Sequence, residues 1–106
     1  MRIEHENLTD GQRVYVALAY IGAGVDTVNG LVKTGVVENA EAKLIRLDRG
    51  GFWTLLPWEV AADTEADAHA HIAEVFEAAA AKLNGIAAKH RDEAAGVAAK
   101  AAVIYA

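Results

Sequence analysis

The side chains of this chain exclude the commonest forms of covalent catalysis. Its 106 residues include no cysteine and no serine, so neither nucleophile is available. His69 and His71 are two positions apart and would point to different faces of a helix. Each follows an acidic residue by four positions, Glu65 and Asp67 respectively, but two ligands do not complete a metal site. The sequence therefore predicts a non-enzymatic protein with no metal and no cofactor.

A glycine-rich segment raises the question of phosphate binding. Gly22 and Gly24 follow an apolar run, as in the loop that binds dinucleotides, but Thr27 stands where a third glycine is needed. The segment that follows, "DTVNGLVKTG", is poor in helix formers, and the chain is too short for a doubly wound sheet. We therefore interpret residues 22–30 as a long loop between strands.

Acidic residues concentrate near the middle of a chain whose formal net charge is −5. Such a charge disfavours nucleic acid as a partner. Runs of charge are usually a solvated face, and the functional alternative is an acidic surface that docks on a basic partner protein. On that hypothesis, changing Glu65 and Asp67 to lysine weakens binding without unfolding. The partner-binding residues would be Glu59, Asp63, Glu65, Asp67, Glu74 and Trp58.

Basic residues in the first half support a second hypothesis. Lys43, Arg46 and Arg49 lie close in sequence to Phe52 and Trp53, and basic residues interleaved with aromatics are typical of single-stranded nucleic-acid binders. Known binders concentrate more charge on one face. Nucleic-acid binding through Lys43, Arg46 and Arg49 is therefore the alternative function, and binding of a small ligand is the third.

The amino-acid composition of the chain changes near residue 60. About 10–60 is rich in β-branched and aromatic residues with turn signals, which predicts strands, and about 63–106 is rich in alanine, which predicts helix. A helix beginning after Thr9 is the alternative for the first strand, and Gly35 suggests a bulge or a sharp bend in the second. The predicted strands are 12–21, 31–38, 42–48 and 52–58.

The last two strands form a predicted hairpin. A three-residue loop, Arg49 to Gly51, makes one face wholly apolar, whereas a two-residue loop would set Trp53 beside Arg46. With the longer loop Asp48 faces Phe52, and the apolar face consists of Ile45, Leu47, Trp53 and Leu55. Trp53 therefore points into the core. Trp58 follows Pro57 at a sheet edge, where it is either packed under a helix or exposed for a partner.

Two helices are predicted after the strands, at about 64–84 and about 90–104. Asp63 or Thr64 caps the first, and Asn84-Gly85 ends it. Its apolar seam is Ile72, Phe76, Ala79, Leu83 and Ile86. We expect Ile72, Phe76 and Leu83 to pack on the sheet near Trp58, Phe52 or Leu56. The second apolar set, out of phase with the first, is Ala94, Val97, Ala101 and Ile104. This helix covers the sheet or pairs with a second copy as a homodimer.

The stretch "TGVV…AKLIRLDRGGFWTLLPWEV" resembles the later strands of SH3-like and Sm-like small β-barrels, and "DGQRVYVA" resembles their first strand. The resemblance covers about residues 10–60. Small barrels with an added helix are similar to short acidic accessory proteins of phages and mobile elements, including anti-CRISPR inhibitors. The resemblance implies an inhibitor of a host complex that handles nucleic acid or defends the host.

The expected architecture is α+β in a single domain, residues 1–106. An antiparallel sheet or partly closed small β-barrel of four to five strands precedes two C-terminal helices. The N-terminus "MRIEHENLTDG" has no apolar core of the signal-peptide kind. The longest apolar run has twelve residues, and a membrane-spanning helix needs about 20. We therefore expect a soluble, cytoplasmic protein without a membrane partner.

Overall fold

The structure, a computed structural model, describes residues 1–22 and 28–105, with side chains as far as Ala102. The chain divides into two compact units, Met1–Val75 and Phe76–Ala106. The first unit contains every strand. The elements are β1 (Arg2–Ile3), a 3₁₀ helix (His5–Asn7), β2 (Arg13–Tyr20), β3 (Asn29–Asn39), β4 (Leu44–Leu47), β5 (Phe52–Thr54), β6 (Val60–Ala62) and α1 (Glu65–Tyr105).

The strands form one six-stranded sheet in the order β1-β6-β2-β3-β4-β5. All neighbouring strands are antiparallel. The predicted fold class is therefore wrong in three respects: the sheet has six strands, it is open rather than a partly closed barrel, and a single helix follows it. β1 and β6 have only two and three residues, too few for the alternation of apolar and polar residues by which strands are recognised.

β2 is a strand over most of the predicted range, and the helical alternative after Thr9 is wrong. Thr9 and Gln12 close a turn instead, in which the amide of Gln12 donates to the Thr9 carbonyl at 3.0 Å. Gly11, inside this turn, has φ +83°, a conformation that glycine adopts without strain. β3 begins at Asn29, two residues earlier than predicted. The predicted loop lies partly at 23–27, outside the described residues.

One face of the sheet carries the core. The strand registers place Val14, Val37 and Ile45 on the same face, and all three are at most 1% exposed. The core cluster also includes Leu8, Val16, Leu18, Leu55 and Ala61, with Ile3, Ala40, Leu47 and Trp53 packed against it. Because every strand contributes to this one cluster, the sheet must curve around its own apolar face.

The opposite face of the sheet is covered by the start of α1. Ala17 and Ala62 lie on that face and are buried, as are Ala68 and Ile72 of the helix. Arg2, the cross-strand neighbour of Ala62, reaches the helix through an ion pair with Glu74 at 2.6 Å.

The β4–β5 hairpin keeps its predicted face but not its predicted register. Ile45 faces Trp53 and Arg46 faces Phe52. The amide of Leu47 donates to the Gly51 carbonyl, so the three-residue loop begins one residue earlier than predicted. The register is thereby shifted by two residues, and a shift of two preserves the side to which each residue points.

Gly35 pairs regularly with Leu47, so the predicted bulge is not at this residue, and the register shifts instead between Val37 and Asn39. A Cβ at Gly35 would lie 2.4 Å from the Arg46 carbonyl oxygen and 2.8 Å from Cγ2 of Ile45. The first contact is with backbone and cannot be relieved by a rotamer change.

We expect Gly35→Ala to destabilise the protein by about 2 kcal/mol, because the β3–β4 pair must separate to admit the methyl group. Gly96→Ala is the matched control, since a Cβ there meets nothing within 4 Å. Alanine favours helix over glycine by about 1 kcal/mol, so the control should be neutral or stabilising. Urea unfolding of both variants checks the difference, and equal midpoints would contradict the close approach.

α1 is one helix of 41 residues, and the predicted break at Asn84-Gly85 is wrong. One glycine costs a helix only about 1 kcal/mol, which the surrounding alanines outweigh. The predicted start is confirmed for Thr64, whose Oγ1 accepts a hydrogen bond from the Asp67 amide at 3.1 Å. Ile72 is buried as predicted, and Leu83 is 63% exposed. No described helix has an apolar stretch of the length that crossing a bilayer requires.

Candidate functional site

The Trp58 turn (Leu56–Glu59) presents the most exposed aromatic ring among the described residues. The amide of Glu59 donates to the Leu56 carbonyl at 3.0 Å, and Pro57 occupies the second position, where its fixed φ favours a turn. Trp58 takes the third position and is 76% exposed. The sequence left Trp58 either packed or exposed, and the structure places it at the surface.

The buried side chain of Glu59 stabilises this turn. Its Oε1 accepts hydrogen bonds from the Leu56 amide at 2.7 Å and from the Trp53 indole Nε1 at 3.1 Å. Glu59 is only 7% exposed, and hydrogen bonds to a carboxylate are stronger than those between neutral groups. Although the sequence predicted a partner-binding role for Glu59, its carboxylate is bonded within the chain.

A second set of hydrogen bonds ties the Trp58 turn to the N-terminal segment. His5 Nε2 donates to the Glu59 carbonyl at 2.7 Å, and Lys43 Nζ donates to the His5 carbonyl at 2.8 Å. Lys43, a predicted nucleic-acid contact, is thus used to position the 3₁₀ helix. Hydrogen bonds thus hold the Trp58 turn on both sides, through the Glu59 carboxylate and through the N-terminal segment.

A groove of about 340 Å³ lies on one side of Trp58. The groove is lined by Arg2–Glu6 and by Pro57–Val60. Glu4 and Glu6 are exposed there, and within the described part of the chain neither has an ion-pair partner. The guanidinium of Arg2 is already paired with Glu74. The first groove therefore combines an exposed indole with two uncompensated carboxylates.

A second groove, of about 210 Å³, lies between the end of β2 and α1 and is also lined by Trp58. Tyr20 is 45% exposed at its rim. His71 lines it too, and its Nδ1 is the one buried side-chain nitrogen or oxygen of the described residues without a hydrogen-bond partner. Burial lowers the pKa of His71, the charge of Arg2 lowers it further, and Glu74 opposes the shift. His71 therefore offers a neutral imidazole to this groove.

The acidic residues predicted at the helix start are largely compensated. The amino group of Met1 contacts Asp63 at 2.5 Å and also contacts Asp67. The hydrogen bond from this amino group lowers the pKa of Asp63. Glu74 is paired with Arg2. Glu65 lies 3.7 Å from His69, an ion pair only when the imidazole is protonated. Three of the predicted acids, Asp63, Asp67 and Glu74, are thus paired with positive charges of the chain itself.

Of the basic residues of the alternative hypothesis, Lys43 and Arg46 are bonded within the chain. Arg46 forms an ion pair with Glu38 at 3.2 Å. Its cross-strand neighbour Phe52 is 58% exposed, and Lys33 lies over the ring of Trp53 at 4.9 Å. Arg49 lines a wide groove of about 870 Å³ along β3 together with Arg13 and Lys33, and the acidic residues of this groove are Asp48 and Glu65. Asp48 is paired with Arg13. No set of three or more metal-binding side chains occurs among residues 1–22 and 28–105.

Glu4, Glu6, Tyr20 and His71 were not predicted as site residues. The N-terminal acids reach Trp58 only because β1 pairs with β6, and a two-residue strand leaves no signal in the sequence.

Comparison with protein-family models, with curated proteins and with solved structures gave no match in any of the three. The candidate site is therefore argued from its own geometry. The resemblance to SH3-like and Sm-like proteins stays a hypothesis.

Proposed function

We propose that this protein is a non-enzymatic module that binds another protein, with Trp58 at the centre of the contact. The single observation that carries the proposal is an indole 76% exposed on a turn that a buried carboxylate fixes. Exposed tryptophans dominate binding energy where they fill a partner's pocket. A rigid support reduces the entropy lost when the contact forms.

The charge beside Trp58 specifies the partner as basic. Glu4 and Glu6 line the same groove as the indole. A lysine or arginine side chain of the partner can stack on the indole while the carboxylates accept its hydrogen bonds. The proposed contact thus keeps the basic partner expected from the acidic composition and keeps Trp58 of the predicted residues, with Glu4 and Glu6 in place of the acids at the helix start.

A surface that handles nucleic acid is the form of basic partner we propose. Carboxylates placed against such a surface occupy positions where phosphates bind, and the protein would then inhibit the complex it binds, as the likeness to phage accessory proteins implies. The cytoplasm remains the predicted compartment.

The test is capture of the partner from bacterial lysate with tagged protein, with and without nuclease, read by mass spectrometry. We expect a protein partner that survives nuclease and is lost from the Glu4→Gln/Glu6→Gln variant, because the two carboxylates are removed without changing side-chain size. The Glu65→Lys/Asp67→Lys variant tests the helix start in parallel.

Three outcomes would contradict the proposal. Recovery that disappears with nuclease favours direct nucleic-acid binding. Loss of the partner only with the Glu65/Asp67 variant assigns the contact to the helix start. Stabilisation of the protein by a nucleotide or a divalent metal, with no partner captured, favours a small ligand.

A further inference from the structure

In the second unit of the chain, the apolar side chains of the helix are exposed to solvent. From Phe76 to Ala102 no described side chain is buried, and only Phe76, Ala79 and Ala87 are half-buried. Leu83 and Val97 are 63% and 68% exposed. Helices of proteins owe most of their stability to packing of an apolar face. A helix this long with exposed leucine and valine is therefore incomplete as a single copy.

The continuous helix carries one apolar seam, the Ala seam, throughout the second unit. Its members alternate steps of four and three, and the sequence continues the pattern to Ile104. They are Phe76, Ala80, Leu83, Ala87, His90, Ala94, Val97 and Ala101. The two apolar sets that were predicted to be out of phase form one seam when it is traced through Ala80 and Ala87 instead of Ala79 and Ile86. A period of 3.5 residues is the repeat by which helices pair in coiled coils.

The Ala seam alternates small and large side chains. Large residues recur at Phe76, Leu83, His90 and Val97, with alanine at each intervening position. Close packing between helices needs large residues opposite small ones. In an antiparallel pair of identical helices, every alanine can meet a large residue. The layers are then Ala80 with Val97, Ala87 with His90, Ala94 with Leu83, and Ala101 with Phe76.

Charge agrees with this pairing. At the side of the seam, the antiparallel register brings Glu93 next to Ile86 and Lys100 next to Ala79 of the second copy. No like charges therefore meet beside the seam. A parallel pair would place alanine on alanine and His90 on His90.

We propose that the Ala seam is covered by a second copy of this chain, running antiparallel. The first test is sedimentation equilibrium of the full chain. Leu83→Glu should raise the dimer dissociation constant about a hundredfold, because two leucines leave the interface and two charges enter it. Ala81→Glu, off the seam, is the matched control. His90→Leu should lower the constant about tenfold, because it removes the one polar residue of the seam.

Orientation is measured separately with single-cysteine variants, which the absence of native cysteine makes possible. Spin labels at Ala88→Cys should lie close together. Labels at Lys100→Cys should be offset by about 35 Å along the axis, at 1.5 Å per residue. Short distances at both positions would overturn the antiparallel register.

A monomer at all accessible concentrations, including for His90→Leu, would overturn the proposal. Equal weakening by Leu83→Glu and Ala81→Glu would do the same, because it would separate association from the seam. Circular dichroism establishes that each variant retains its helix. None of these results depends on Trp58, so the partner proposal stands or falls separately.

Discussion

Replacing Trp58 by alanine is expected to weaken binding to the basic partner about a hundredfold while the unfolding midpoint stays unchanged. The indole is 76% exposed, so its removal takes little from the core. Binding, by contrast, loses both the buried indole surface and the stacking of a cationic side chain on the ring. Isothermal titration with the captured partner measures the first effect, and urea unfolding measures the second.

Phe52→Ala is the matched control for this experiment. Phe52 is 58% exposed and lies on β5, across from Arg46 rather than on the Trp58 turn. The control should bind like the wild type if the site is where we place it. Weaker binding by Phe52→Ala with normal binding by Trp58→Ala would move the contact to the face that bears Arg46 and favour the nucleic-acid alternative.

Glu59→Ala is expected to destabilise the protein by about 3 kcal/mol. The substitution leaves the Leu56 amide and the Trp53 indole without the acceptor that both now share, and a buried donor without a partner costs about 1–3 kcal/mol. The Trp58 turn should loosen as well, so partner affinity falls with stability. Thermal unfolding and titration of the same preparation measure both.

Glu59→Gln separates hydrogen bonding from charge. The amide oxygen can still accept both hydrogen bonds, without the negative charge, so the expected loss is about 1 kcal/mol. Glu77→Ala, at an exposed position of α1, should leave stability nearly unchanged. If Glu59→Ala were as stable as Glu77→Ala, the buried carboxylate would not be what fixes the turn.

The sequence allowed the strands and the face of each to be predicted where the pattern spans several residues. Trp53 was assigned to the apolar face even though its register was off by two, because parity alone decides the face. β1 and β6 could not be found, because two or three residues carry no period. A single helix was not predicted because the apolar residues after Phe76 can be traced through Ala79 or through Ala80. The trace through Ala79 ends after Ile86, whereas the trace through Ala80 continues along the helix.

The candidate site was predictable in part. Trp58 was singled out because Pro57 before it prevents a central strand, and its exposure depends on where the turn directs the ring. The sequence could not show that the carboxylate of Glu59 bonds back to the turn, because an acid three residues after Leu56 gives the same sequence pattern whichever way it points. Glu4 and Glu6 join the site through strand pairing between distant segments, a contact no local pattern encodes.

The two tryptophans occupy contrasting surroundings, and this difference gives the protein a built-in optical probe. Trp53 is half-buried, with its indole nitrogen bonded to a carboxylate, whereas Trp58 faces water. Indole emission depends on the polarity around the ring, so the two residues emit at different wavelengths. A neutral quencher should reach Trp58 first, and the proposed partner should shield it. Fluorescence can therefore follow occupancy of the site through Trp58 and integrity of the fold through Trp53, in one unlabelled sample.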